Sequence, residues 1–119
     1  MNDQMTREPA RDPQNLERLL IIRQWAGDVE GMVALFEPDA IVDSGEGPFT
    51  IGHDAIRALY VDGIAKGRKF AKGKQSPAVI NGDIALTSTQ LPDGSVTAEV
   101  ARRQSDGTWL WIIDRYSVM

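Results

Sequence analysis

The feature that most constrains this chain is its last stretch, Trp109-Leu110-Trp111-Ile112-Ile113-Asp114-Arg115-Tyr116-Ser117-Val118, which follows the turn signal Ser105-Asp106-Gly107. A run this rich in large and β-branched apolar residues reads as a strand buried on both faces. Side chains alternate along a strand, so Leu110, Ile112, Asp114 and Tyr116 are expected on one face and Trp109, Trp111, Ile113 and Arg115 on the other. One carboxylate, Asp114, is written into this apolar run. A charge on an apolar face is costly unless it is paired or put to use. Two readings follow: an ion pair with Arg102 or Arg103 of the preceding strand, or a working group in a pocket.

Composition narrows the function classes. The 119 residues suit one domain with one core. A net charge of −4 argues against a nucleic-acid binder, which needs a basic face. With no cysteine and a single histidine, disulfides, thiolate nucleophiles and a Cys/His metal site are excluded. No apolar run approaches the roughly 20 residues of a membrane span, and no signal core opens the chain, so a cytoplasmic protein without a membrane partner is expected. No cofactor or metal is expected either.

Residues 1–11 are polar and broken by Pro9, which reads as a mobile tail, leaving 12–119 as the folded domain. Asp12-Pro13 opens a helix over about 13–26, broadly apolar and expected to be surrounded by protein, which Gly27 stops. Asp28 caps a short second helix, ended by Glu37-Pro38-Asp39. A hairpin follows, Ala40–Ser44 and Phe49–Ile51, and then a third helix from His53 or Asp54 to Ala65. The remainder reads as strands over 68–75, 78–80, 83–90, 95–103 and 109–118, divided by turn residues such as Asn81-Gly82 and Pro92-Asp93-Gly94. The order predicts an α+β fold with helices on one face of a bent sheet.

Five basic residues, Lys66, Arg68, Lys69, Lys72 and Lys74, fall close together around Phe70. They read as a solvated edge strand, an anion-attracting rim or a phosphate patch. His53, at a helix start, reads as a surface or capping residue.

The segments Trp25-Ala26-Gly27-Asp28-Val29-Glu30-Gly31-Met32, Phe36-Glu37-Pro38-Asp39-Ala40, Gly52-His53-Asp54-Ala55-Ile56-Arg57, Asp106-Gly107-Thr108-Trp109 and Ile113-Asp114-Arg115-Tyr116 closely resemble the nuclear transport factor 2-like superfamily. Within it they are most similar to SnoaL-like polyketide cyclases and ketosteroid isomerases. The resemblance covers about 13–118. It implies a cone, a curved mixed sheet closed by three N-terminal helices around an apolar pocket, with the convex sheet face making a homodimer. On that picture the even face of 109–118 lines the pocket, and Trp109, Trp111 and Ile113 lie under a partner subunit. Matched to an isomerase, the oxyanion-donating tyrosine falls at Leu20 and the general-base aspartate at Ser44, neither of which does that work. The isomerase's protonated aspartate falls at Glu99. The cyclases' late-strand acid/base aspartate matches Asp114.

The resemblance therefore implies a small enzyme that moves protons on a hydrophobic carbonyl-bearing molecule, as a cyclase, isomerase or dehydratase. Asp114 is its acid or base, Glu99 or Ser44 helps hold the oxyanion, and Leu20, Trp25, Ile112 and Tyr116 form the apolar wall. The same fold also serves as a non-catalytic binding or assembly module.

Overall fold

The computed structural model describes residues 7–119. Its elements run α1 Asn15–Trp25, α2 Val29–Val33, β1 Phe36–Asp43, β2 Thr50–Ile51, α3 His53–Ala65, β3 Lys74–Gln75, β4 Val79–Asn81, β5 Ile84–Thr87, β6 Thr89–Gln90, β7 Ala98–Arg103 and β8 Trp109–Arg115. Six strands form one mixed sheet in the order β2-β1-β8-β7-β5-β4, with β1 and β8 parallel and every other pair antiparallel. β3 and β6 pair separately. The helices pack on the concave face of the curved sheet, an α+β arrangement.

Local chemistry sets the helix boundaries. Asp12 accepts a hydrogen bond from the Gln14 amide at 2.9 Å in the turn that leads into α1. Gly27, at φ 71°, takes the left-handed conformation that ends it. Asp28 then accepts from the Gly31 amide at 3.0 Å as the cap of α2. His53 at the start of α3 ties that helix to β1 through Nε2 and the Phe36 carbonyl, 2.7 Å apart.

The tail expected over 1–11 divides. Residues 1–6 lie outside the described residues, whereas 7–11 pack onto the domain. Arg7 grips Asp28 with two hydrogen bonds of 2.8 Å, Ala10 is buried, and its carbonyl accepts from the Trp109 amide at 2.8 Å. Buried Arg23 donates to the Glu8 and Gly31 carbonyls, holding this segment against α2. The small apolar surface of Ala10 is enough once backbone and guanidinium groups supply directed hydrogen bonds.

Register explains the concave face row by row. Ala85, Ala101, Trp111 and Phe36 stand abreast across β5, β7, β8 and β1 and are all buried. The two alanines leave room for the Trp111 indole, which lies 5.1 Å from the Phe36 ring. The adjacent inward row is Thr87, Glu99, Asp114 and Val42, again all buried.

Strict alternation fails in β8. β7 and β8 pair Val100 with Ile113 and Ala101 with Trp111, so Ile112 is an extra residue in a β-bulge. The bulge puts Trp109, Trp111 and Asp114 on the same concave face, in place of the even set expected from the sequence. Trp109 and Trp111 are core residues, not partner-facing ones. β1 also slips register between Phe36 and Ile41, around Pro38, which has no N–H to donate.

The convex face carries an unbroken apolar row across all six strands: Val79, Leu86, Val100, Ile113, Ile41 and Ile51 are successive cross-strand partners. Val79, Leu86, Ile113 and Ile51 are 45% to 65% exposed. Ion pairs flank the row, Arg102 with Glu37 at 2.9 Å on one side and Arg115 with Asp43 at 3.0 Å on the other.

Candidate functional site

Three carboxyl groups, Glu17, Glu99 and Asp114, line one cavity of about 100 Å³, together with Thr97 and an apolar wall of Leu20, Phe70, Ala71, Leu91 and Tyr116. α1 supplies Glu17 and Leu20 one turn apart on its inner face. The bulge in β8 turns Asp114 inward, and β7 delivers Glu99 as its direct cross-strand partner. Partners directly opposite in an antiparallel pair hold their Cβ atoms roughly 5 Å apart, close enough for one carboxyl to feel the other's charge.

None of the three has a basic partner within ion-pair distance among the described residues. The arginines expected to neutralise Asp114 are engaged elsewhere: Arg102 pairs with Glu37 and Arg103 with Asp83, at 2.9 and 2.6 Å. Asp114, 5% exposed, is held well above the usual carboxylate range, first by burial and then by the negative charges of Glu99 and Glu17. Glu99, 3% exposed, accepts a hydrogen bond from Thr87 Oγ1 at 2.7 Å. Burial raises its pKa, and hydrogen bonding to Thr97 and Thr87 partly offsets that rise. Half-buried Glu17 is raised to about 7, again by burial first and then by Glu99. The cluster thus contains one carboxyl strongly biased to its neutral form and one poised near neutrality, the division of labour that acid/base chemistry needs.

An aromatic chain runs from the core to this site. Trp111, Phe36, Tyr60, Phe70 and Tyr116 follow one another at ring separations of 5.1, 6.1, 6.2 and 6.0 Å. Tyr60 is buried with its hydroxyl unpartnered among the described residues, and burial, Tyr116 and Asp114 all push its phenol up. Phe70 is clipped in place through its backbone: its amide donates to Gln24 Oε1, and its carbonyl accepts from Trp25 Nε1 at 3.2 Å.

Of the residues singled out from the sequence, the structure gathers Asp114, Glu99, Leu20 and Tyr116. It leaves three outside. Ser44 sits in the turn after β1, its hydroxyl accepting from the Glu46 amide at 3.4 Å. Ile112 is the bulge residue and does not line the cavity. Trp25 is 58% exposed on α1, its ring under the Lys69 ammonium at 5.3 Å. Helix α1 is thus not enclosed as expected, because Ile22 and Trp25 face outward. Glu17 was missed. Its signal was an acidic residue one turn before Leu20 on the inner face of the first helix, and it looked like an ordinary first-turn carboxylate favoured by the helix dipole.

The basic stretch also differs from expectation. Only Lys74–Gln75 is strand, while 66–73 passes irregularly over the cavity mouth, contributing Phe70 and Ala71 to the wall. Beside the cavity lies a wider groove of about 420 Å³, lined by Arg18, Ile21, Ile22, Lys72, Gly73 and Gln75 and meeting the cavity at Glu17.

With that geometry established, the chain can be placed among known proteins. No protein-family model matches it, and neither does any curated protein sequence. Solved structures do. A cystatin-like-fold protein of unknown function from Nostoc punctiforme superposes with a TM-score of 0.68 at 18% identity, over 86% of this chain and 84% of that one. A ketosteroid isomerase-like protein from Erwinia carotovora atroseptica gives 0.67 at 13%, over 86% and 89%. An NTF2-like protein with a cystatin-like fold from Novosphingobium aromaticivorans gives 0.59 at 19%, over 85% and 75%. The chain has the NTF2-like, cystatin-like fold. Identities this low establish the fold alone, so the function rests on the site.

Proposed function

We propose that this protein is a proton-transfer enzyme acting on a small carbonyl-bearing molecule, of the isomerase, cyclase or dehydratase type, and that it works as a homodimer through the convex apolar row. The observation that carries the reading is the convergence of three carboxyl groups on one cavity with no basic partner among the described residues. Burying carboxyls together costs stability, and a site that uses their shifted protonation is the functional account of that cost.

Glu17, near half-ionised at neutral pH, takes a proton from the carbon beside the carbonyl. Neutral Asp114 donates a hydrogen bond to the carbonyl oxygen as charge develops there, and the proton is then returned at another position or used to expel a leaving group. Burial keeps Asp114 protonated, and the charge of Glu99, fixed by Thr87, reinforces it. Ser44 has no part in this scheme.

The cavity is smaller than the roughly 150 Å³ that holds a benzene ring, so only the reacting end of a ligand enters it. The rest lies in the groove that opens at Glu17.

The direct test is deuterium incorporation beside the carbonyl of a panel of small ketones and diketones in heavy water, followed by NMR. Catalysed exchange is expected, falling roughly a hundredfold or more in both Glu17→Gln and Asp114→Asn. Wild-type exchange no faster than buffer across the panel removes the enzyme reading. The second reading, a dimeric assembly module, is favoured by the apolar convex row and would then stand.

A further inference from the structure

Resting on the proposed reaction, we infer that the ligand is an oxo acid: its carbonyl end enters the carboxyl-lined cavity, and an anionic group at its other end is received by Lys72 in the adjoining groove. Two independent features of the groove point there. The first is its floor. Ile21 and Ile22 of α1 line it, and Ile22 is turned out to solvent, 53% exposed. An exposed apolar strip on a helix that otherwise packs inward offers a seat for a hydrocarbon segment.

The second is the charge beside it. The groove holds two cations, and only one is neutralised: Arg18 is engaged by Glu8 at 2.6 Å. Lys72 has no carboxylate within ion-pair distance among the described residues, and Lys74 next along is likewise unpaired among them. The protein is acidic overall, with a net charge of −4, yet Lys72 lines a groove that meets, at Glu17, a cavity lined by three carboxyls. That places a positive charge in the groove beside an interior favouring neutral groups, which orients a ligand with one charged end and one carbonyl end. A carboxylate pushed into the cavity instead would meet Glu17, Glu99 and Asp114 with no cation among them.

The groove's length limits how far apart the two ends are, so the test uses a series. Straight-chain methyl-keto acids from levulinate upward in chain length, and their methyl esters, are titrated calorimetrically into wild type, Lys72→Gln and Lys72→Arg. The acids are expected to bind wild type about tenfold more tightly than their esters. Lys72→Gln is expected to erase that preference, Lys72→Arg to keep it, and raising salt from about 20 mM to about 300 mM to weaken acid binding selectively. Equal affinity for acid and ester, a preference unchanged in Lys72→Gln, or binding by neither series would overturn the inference. Deuterium exchange measured on the same samples separates the two ideas: acid-selective binding without exchange sinks the proposed reaction and leaves the anion site standing.

Discussion

Replacing Glu17 with glutamine is expected to stabilise the protein, and only above a definite pH. The carboxyl rises from an ordinary 4.5 to about 7 on folding. A raised pKa means that the folded state prefers the protonated form. Its contribution is therefore intact below the unfolded pKa and is lost as pH climbs from about 4.5 to about 7, with nothing further lost above. At about 1.4 kcal/mol per pH unit the full penalty is about 3 kcal/mol, and solvent reaching this half-buried group reduces it to roughly 2 kcal/mol. Glutamine keeps the shape and cannot ionise. Urea unfolding of wild type and Glu17→Gln across about pH 4 to pH 8.5 should show similar midpoints at the acid end and a variant more stable by roughly 2 kcal/mol at the alkaline end. A difference that does not change with pH, or a variant less stable at alkaline pH, refutes the reasoning that Glu17 is held without a compensating cation.

Three other substitutions probe the remaining parts of the account. Asp114→Asn should be at least as stable as wild type at neutral pH, with its advantage shrinking as the pH falls toward the ordinary carboxylate range; a loss of roughly 3 kcal/mol or more by urea unfolding would mean a hidden ion pair. Ile113→Asp, in the middle of the convex row, should turn a dimer into a folded monomer in sedimentation at micromolar concentration, and a wild type that is itself monomeric there removes the homodimer. Trp111→Ala should cost about 3 to 5 kcal/mol by urea unfolding, because the indole fills the gap left by Ala85 and Ala101; a cost under about 1 kcal/mol would mean that the row is loosely packed.

The sequence made the order of elements legible because punctuation and pattern agreed: Gly27 and Asp28 mark the end of one helix and the start of the next, and His53–Ala65 follows helical spacing to its end. Glu99 came to the site through the family resemblance and not through alternation: Thr97 and Glu99 alternate with Val96, Ala98 and Val100 as a polar face does with an apolar one, yet the fold buries Thr97, Glu99 and Ala101 together. Alternation also misassigned β8, since a bulge adds one residue without any local signature, and Ile112 followed by Ile113 fits either register. Trp25 was expected inside because large aromatics are more often buried than not, yet its indole N–H serves the Phe70 carbonyl at the surface. Glu17 stayed invisible for a different reason. What makes it unusual is the distant Glu99 and the covering segment 66–73, neither of which the sequence around it reveals.

The central claim is that the cavity holds carboxyl groups whose protonation is displaced into the working range. It is tested most directly by following the side-chain carboxyl carbons of Glu17, Glu99 and Asp114 by NMR through a pH titration, with Glu17→Gln and Asp114→Asn used to assign the signals. The account predicts a Glu17 midpoint near 7, a Glu99 midpoint above the usual range, and an Asp114 signal that titrates far above it. Ordinary midpoints for all three would contradict it, since the groups would then be fully ionised at neutral pH and no neutral donor would face a substrate.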